Sequence, residues 1–187
     1  MNNAGINGYG PFTELDPDLA HQVLAVNVIA PTTLSRAALP GMLARGRGAV
    51  VNVSSLLAFA GALPPGPLPH RATYAGTKGY LVTFSRTLAA ELGDAPVRVQ
   101  VVCPGLTATE FHFTTGAESV PGERERVGAR GMNADDVVTA SLAGLERGEV
   151  VCVPGLSEPE AVTRLAEAEL DLRTASAPEL AARYAAR

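Results

Sequence analysis

The sequence predicts an α/β layer fold, with about three parallel strands among long helices. Two observations carry this. Short apolar runs rich in β-branched residues, at 49–53, 97–103 and 150–153, alternate with long stretches of helical periodicity. Within the runs the apolar residues are consecutive rather than alternating, which suits strands covered on both faces.

The elements follow in order. The first ten residues are rich in Gly and Asn and read as a loop. Asp16 and Pro17 then open a helix, Asp16 as N-cap and Pro17 in the first turn. Leu19, Val23, Val26, Ala30 and Leu34 give it an apolar stripe to about Ala44. Pro31 stands inside that pattern. It offers no N–H to the Asn27 carbonyl and its ring pushes that carbonyl aside, so a kink is expected, with the Asn27 carbonyl free to bind elsewhere. Gly46-Arg47-Gly48 ends the helix, and residues 49–55 form a strand closing on two serines, Ser54 and Ser55. A loop rich in Gly and Pro follows, including the run 64–69. A second long helix from about Thr73 to Leu92 sets Leu81, Phe84, Leu88 and Leu92 at core spacing, and Gly93 stops it. Val97–Cys103 is the next strand, broken by Pro104-Gly105, and 106–132 reads as a loop. Asn133 caps a third helix, with Asp135 and Asp136 favouring its dipole and Gly148 ending it. After the strand at 150–153, residues 157–187 read as a helical tail with a break near Pro178.

Composition narrows the function. The 187 residues suit one domain, 47% of them are hydrophobic and Trp is absent, so Ala, Val and Leu must build the core. A net charge of −4 argues against nucleic acid as a partner. No apolar stretch approaches the ~18 residues that span a bilayer, and Met1–Gly8 lacks the features of a signal peptide. Cys103 and Cys152 read as buried free thiols, which points to the cytoplasm. The three histidines lack metal-ligand spacing, so no metal is expected.

The single lysine, Lys78, follows Tyr74 by four residues, while fourteen arginines supply the other positive charges. On a helix this spacing puts both on one face. An ammonium there favours the phenolate and lowers the phenol pKa. On its own the pair also fits an ordinary helix surface. It does not stand alone. Asn2-Asn3-Ala4-Gly5, Asn27 in the first helix, Ser55 at a strand end, Tyr74-x-x-x-Lys78, and Pro104-Gly105-x-x-x-Thr109 after the following strand occur in one order. In that order and context the chain resembles the short-chain dehydrogenase/reductase family over nearly its whole length.

The resemblance implies the C-terminal part of a Rossmann-type doubly wound parallel sheet. The chemistry would be NAD(P)-dependent interconversion of a carbonyl and an alcohol. Tyr74 would be the general acid/base. Lys78 would lower the tyrosine pKa and hold the nicotinamide ribose. Ser55 would bond the substrate oxygen as charge develops, and the Asn27 carbonyl would hold a water linking Lys78 to solvent. Asn3, Ala4, Gly5, Tyr74, Lys78, Pro104, Gly105, Thr107 and Thr109 would contact NAD or NADP. Partners would be a small-molecule substrate, met by the loop 106–132, and a second copy joined through the two long helices. Taken singly, Ser55 could end a strand, Asn27 could be a core polar residue at the kink, and Thr107 and Thr109 could belong to an ordinary loop. His70, Glu110 and His112 read as solvated loop residues.

The chain also departs from the family. Its members open on a strand and a T-G-x-x-x-G-x-G turn that cradles the cofactor pyrophosphate. No such turn occurs in the 187 residues, and Gly5, Gly8 and Gly10 have the wrong spacing. The expectation is a single incomplete Rossmann-like domain over 1–187, truncated at its N-terminus, whose first strand is left as an exposed edge. Residues separating NAD from NADP are missing too. The gap from Ser55 to Tyr74 is longer than the family's usual spacing, which should reshape the substrate pocket. Two readings remain: an oxidoreductase, or an inactive remnant or dimerising module that binds no cofactor. In-frame coding for the glycine turn upstream of Met1 would favour the first, and a stop codon there the second. A serine-hydrolase reading fails because no G-x-S-x-G elbow is present.

Overall fold

Residues 1–155 form one unit built on a parallel sheet in the order β1-β2-β3. The computed structural model describes residues 1–64, 70–113 and 128–184. Most of the proline-rich run and residues 114–127 of the expected substrate loop lie outside the described residues. β1 (Gly48–Val53) pairs with β2 (Val97–Val102) from Gly48 opposite Val97 to Val53 opposite Val102. β3 (Val151–Cys152) is shorter than expected and pairs with Val101 and Val102. The strands stop before Ser54 and Cys103, but the backbone lacing continues. The Ser54 N–H donates to the Val102 carbonyl and the Cys103 N–H to the Cys152 carbonyl, each at 2.7 Å.

The expected bare edge of β1 is corrected at its carboxyl end. Asn2 forms a parallel bridge with Asn52. Its N–H donates to the Val51 carbonyl at 2.7 Å and its carbonyl accepts from the Val53 N–H at 3.0 Å. The Asn2 side chain donates to Asn52 Oδ1 at 2.7 Å and Ser35 Oγ at 3.2 Å. Asn52 Nδ2 in turn donates to Ser85 Oγ at 2.9 Å. Asn52, Ser35 and Ser85 are fully buried, where unpaired polar groups would cost about 1–3 kcal/mol each. This chain of bonds fixes both long helices against β1.

The first long helix has three parts: α1 (Pro17–Leu24), a π-helical turn (Ala25–Ile29) and α2 (Ala30–Ala44). Asp16 caps it, its carboxylate accepting from the Asp18 N–H at 2.9 Å. The irregularity expected at Pro31 falls just before it, where the Ala30 N–H reaches back to the Ala25 carbonyl. Pro31 supplies no N–H, and the ladder shifts by one residue in the turn ahead of it. The expected stripe is also corrected. Val23, Asn27, Pro31 and Ser35 face inward, whereas Ile29 and Leu34 are 61% and 58% exposed. By length and composition Pro17–Ala44 is apolar enough to cross a membrane, although its apolar residues are interspersed with small and polar ones and no consecutive run of them approaches that length.

α3 (Ala72–Leu92) covers one face of the sheet and α4 (Ala134–Arg147) the other. Val101, Cys103 and Val82 of α3 pack together, with Val151 and Val153 beside them. Val51, Val102 and Cys152 form the opposite cluster, against Val137, Ala140 and Leu145 of α4. Successive strand residues thus feed opposite faces. Gln100 is a buried exception. Its Nε2 donates to the Ser141 carbonyl at 3.1 Å and its Oε1 accepts from Ser141 Oγ at 2.7 Å, tying β2 to α4. Asn133 caps α4, and Gly148 ends it at φ 75°, a left-handed backbone suited to glycine.

Residues 156–187 form a second unit. It contains α5 (Glu160–Thr174), which has no buried residue and exposes Leu170 and Leu172. The helix ends before Pro178.

Candidate active site

α3 begins directly below the carboxyl ends of β1 and β2, the end of a parallel sheet where ligands bind. Tyr74 and Lys78 lie on its buried face, 4% and 3% exposed. Lys78 Nζ stands 5.5 Å from the centre of the Tyr74 ring and donates to the Val53 carbonyl at 2.8 Å. Ser54, buried at the end of β1, donates its hydroxyl to the Lys78 carbonyl at 2.7 Å. Ser55 follows in extended backbone and caps a short 3-10 turn, its Oγ accepting from the Leu57 N–H at 3.1 Å. Ser55 thus caps the turn that follows the strand. The same side chain lies near enough to Tyr74 to pull its pKa down, against the effect of burial. The Leu56 N–H donates to the Pro104 carbonyl at 2.8 Å, bringing the turn after β2 beside the one after β1.

Charge behaves differently from the expectation. The Tyr74 pKa is raised well above a free phenol, first by burial and then by Tyr9, with Ser55 pulling the other way. The Lys78 ammonium faces the tyrosine ring and holds the Val53 carbonyl, so in this chain desolvation outweighs it. Burial in turn lowers Lys78 to about 8, with the nearby Cys103 raising it slightly. Burial pushes the Cys103 thiol up to about 12, with the neighbouring Ser54 hydroxyl pulling the other way.

Asn27 meets this group from the π-helical turn. Its Nδ2 donates to Thr77 Oγ1 at 3.1 Å and to the Ile6 carbonyl at 2.9 Å, while its Oδ1 accepts from the Ile6 N–H at 3.0 Å. Thr77 Oγ1 donates to the Tyr74 carbonyl at 2.7 Å. The side chain of Asn27 thus acts as a core polar link between the first helix, the N-terminal turn and α3. Gly5 lies in that turn, so close that a Cβ on it would stand 3.4 Å from both Lys78 Nζ and Asn27 Oδ1. Asn3 and Ala4 precede it on the surface.

Thr107 and Thr109 are in the turn after Pro104-Gly105. The Thr107 hydroxyl donates to the Gly105 carbonyl at 3.1 Å, and its backbone bridges to Met132. His70 and Glu110 are exposed, as expected of loop residues. Four participants escaped the sequence reading: Ser54, Thr77, Tyr9 and Phe111. The Tyr9 ring meets Tyr74 edge-on at 5.3 Å, and Phe111 lies 5.8 Å from it on a tilted plane. Thr77 could have been found as the hydroxyl next to Lys78. Nothing local singled out an aromatic in a glycine-rich loop.

The family model for short chain dehydrogenases matches residues 1–119. The chain belongs to the short-chain dehydrogenase family. As a short-chain dehydrogenase it is 40% identical over 109 residues to the "Inactive 2-(S)-hydroxypropyl-CoM dehydrogenase 2" of Xanthobacter autotrophicus, covering 58% of this chain and 45% of that one. The chain spans less than half the length of the first curated relatives it matches. Among solved structures it resembles the short-chain dehydrogenase from Sphingobium yanoikuyae in complex with NADPH (TM-score 0.82, 28% identity, 98% of this chain and 67% of that one). The bulky-bulky ketone specific alcohol dehydrogenase from Comamonas testosteroni is similar (TM-score 0.79, 28% identity, 99% and 66%). The Rossmann-like α/β fold and NAD(P) use as a trait of this family stand on these likenesses.

Proposed function

We propose that this chain carries the proton-handling part of an NAD(P)-dependent oxidoreductase that interconverts a carbonyl and an alcohol. One observation carries the reading: Tyr74, with Ser55 nearby, stands one helical turn from the buried Lys78, whose ammonium meets the carboxyl end of β1. In reduction the Tyr74 phenol gives its proton to the carbonyl oxygen while Ser55 bonds the developing charge. The Tyr74 phenol is protonated at neutral pH, as any phenol is, and the burial that raises its pKa makes it a weaker acid than a free one. The Asn27 carbonyl, in the wide turn, holds a water through which the proton is replaced.

The residues fit one end of the cofactor. Gly5 leaves the space beside the Lys78 ammonium free of a side chain, where a Cβ would already be in contact at 3.4 Å, so a ribose hydroxyl would have room to reach Nζ. Asn3, Ala4, Gly5, Tyr74, Lys78, Pro104, Gly105, Thr107 and Thr109 would surround the nicotinamide end. When bound, the nicotinamide supplies or accepts the hydride. Buried free thiols accord with a cytoplasmic location.

A second reading has its own support. The long helices expose Leu24, Ile29, Leu34 and Tyr80, a surface suited to a second copy. On this reading the chain is a dimerising module without turnover. Titration with NADH and NADPH, followed by ketone reduction read at the nicotinamide absorbance, tests both. Absence of cofactor binding selects the module. Turnover that survives in Tyr74→Phe refutes the role given to Tyr74.

A further inference from the structure

Tyr74 is bracketed by aromatic rings that come from distant parts of the chain. Tyr9 meets it at 5.3 Å with planes 73° apart, and Phe111 at 5.8 Å with planes 46° apart. These rings are held by backbone anchors. The Gly10 N–H donates to the His70 carbonyl at 3.0 Å, just before α3. Asn7, 2% exposed, donates through Nδ2 to the Phe111 carbonyl at 3.4 Å. Phe111 Cε2 also lies within 3.8 Å of where a Gly5 side chain would begin. A carbonyl taking the Tyr74 proton therefore has its neighbouring substituent beside carbon surface.

Among the described residues, Arg71 and Lys78 spend N–H groups on backbone carbonyls. Arg71, three residues before Tyr74, donates to the Ala60 and Leu63 carbonyls, both at 2.7 Å. Lys78 donates to the Val53 carbonyl. A carboxylate or phosphate pressed against the rings would lose hydration to ring carbon, and among the described residues the charge beside Tyr74 is the Lys78 ammonium, one of whose N–H groups the Val53 carbonyl already holds. A flat ring would gain edge and face contacts of the kind already made between Tyr9 and Tyr74.

We propose that Tyr9 and Phe111 form a specificity wall on Tyr74 that selects carbonyl compounds bearing a flat, uncharged aryl group and rejects those bearing an acid group. The proposal rests on the reading that Tyr74 hands its proton to a carbonyl. The test is saturation-transfer NMR on the full chain with two probes, acetophenone and pyruvate, alone and with NADPH. Acetophenone should take saturation from the protein and pyruvate should not. Tyr9→Ala and Phe111→Leu should each weaken acetophenone binding about tenfold. Circular dichroism checks their fold. Tyr9→Leu replaces Tyr9→Ala if the alanine variant does not fold.

Equal binding of pyruvate, or unchanged acetophenone binding in both folded variants, overturns the wall. Acetophenone binding that follows the two variants without any NADPH-dependent reduction leaves the wall standing and sinks the oxidoreductase reading. Reduction in which Tyr9→Ala leaves the preference for acetophenone over pyruvate unchanged sinks the wall alone.

Discussion

Replacing Lys78 with methionine should change how stability depends on pH. Burial lowers the Lys78 pKa from 10.5 to about 8. A group whose folded pKa is depressed contributes stability that is full above its unfolded pKa and is lost as pH falls through its folded pKa. Between pH 8 and pH 9 nearly all unfolded chains keep this proton, while the folded fraction protonated drops from half to about a tenth. The mean difference of ~0.7 proton corresponds to about 1 kcal/mol at 1.36 kcal/mol per pH step. Lys78 is 3% exposed, so solvent screening takes little from this. The thiols act in the other direction: burial raises Cys103 and Cys152 above 9.0, so the folded state holds protons that the unfolded state releases from pH 9 upward. Tyr9 and Tyr74, both raised above 10.0, add to that loss from pH 10. Wild type alone should therefore rise modestly and then fall. The informative quantity is the stability of wild type minus that of Lys78→Met, measured by urea unfolding followed by circular dichroism. It should increase by about 1 kcal/mol from pH 8 to pH 9. A difference that is flat or decreasing over that interval would refute a buried lysine titrating near 8.

Asn27→Ala removes the bonds to Thr77 and to both backbone groups of Ile6 and should lower stability by about 2–4 kcal/mol in urea unfolding. Asn27→Asp should cost at least as much, because a carboxylate cannot donate to Thr77 or the Ile6 carbonyl. Gly144→Ala sets two effects against each other. Helix propensity favours alanine by about 1 kcal/mol, but its Cβ would stand 2.9 Å from the Gln100 amide, which is locked to Ser141. Net destabilisation of about 1–3 kcal/mol is expected as a drop in melting temperature. Cys103 and Cys152 are both buried, so Ellman's reagent at pH 8 should react with neither in the folded chain and with both in urea. Rapid labelling of the native chain would contradict the core described above.

The strand and helix pattern was legible because its signals are local. Asp16, Asn133, Gly93 and Gly148 mark helix ends by their own chemistry, and the β-branched runs mark strands. The Tyr74/Lys78 pair was equally legible, since one helix brings its members together. What could not be read is what depends on packing. Whether Leu34 or Ser35 faces inward follows from the wide turn, which a regular helical period does not anticipate. The direction of the Tyr74 shift follows from its burial, including Tyr9, sixty-five positions away in sequence. Ser55 was favoured over Ser54 because the family resemblance points to the second serine of the pair. Only the three-dimensional arrangement reveals that one braces α3 while the other meets the phenol.

The buried row of the first helix, Val23, Asn27, Pro31 and Ser35, advances by four residues at every step. On a regular α-helix four residues turn about 400°, so such a row overshoots by ~40° per step and spirals off its neighbour within three steps. The π-helical turn takes up one additional residue and absorbs part of that overshoot, so the row stays on one side. The turn thus acts as a single inserted residue that sets angular phase. Deleting one exposed residue from it, such as Ile29, would return a regular helix in which Ser35 stands seven residues from Asn27, about 700°, and so within ~20° of the same face. Such a deletion should keep Ser35 within reach of Asn2 while removing the widened turn, with Tyr74 and Lys78 untouched in sequence.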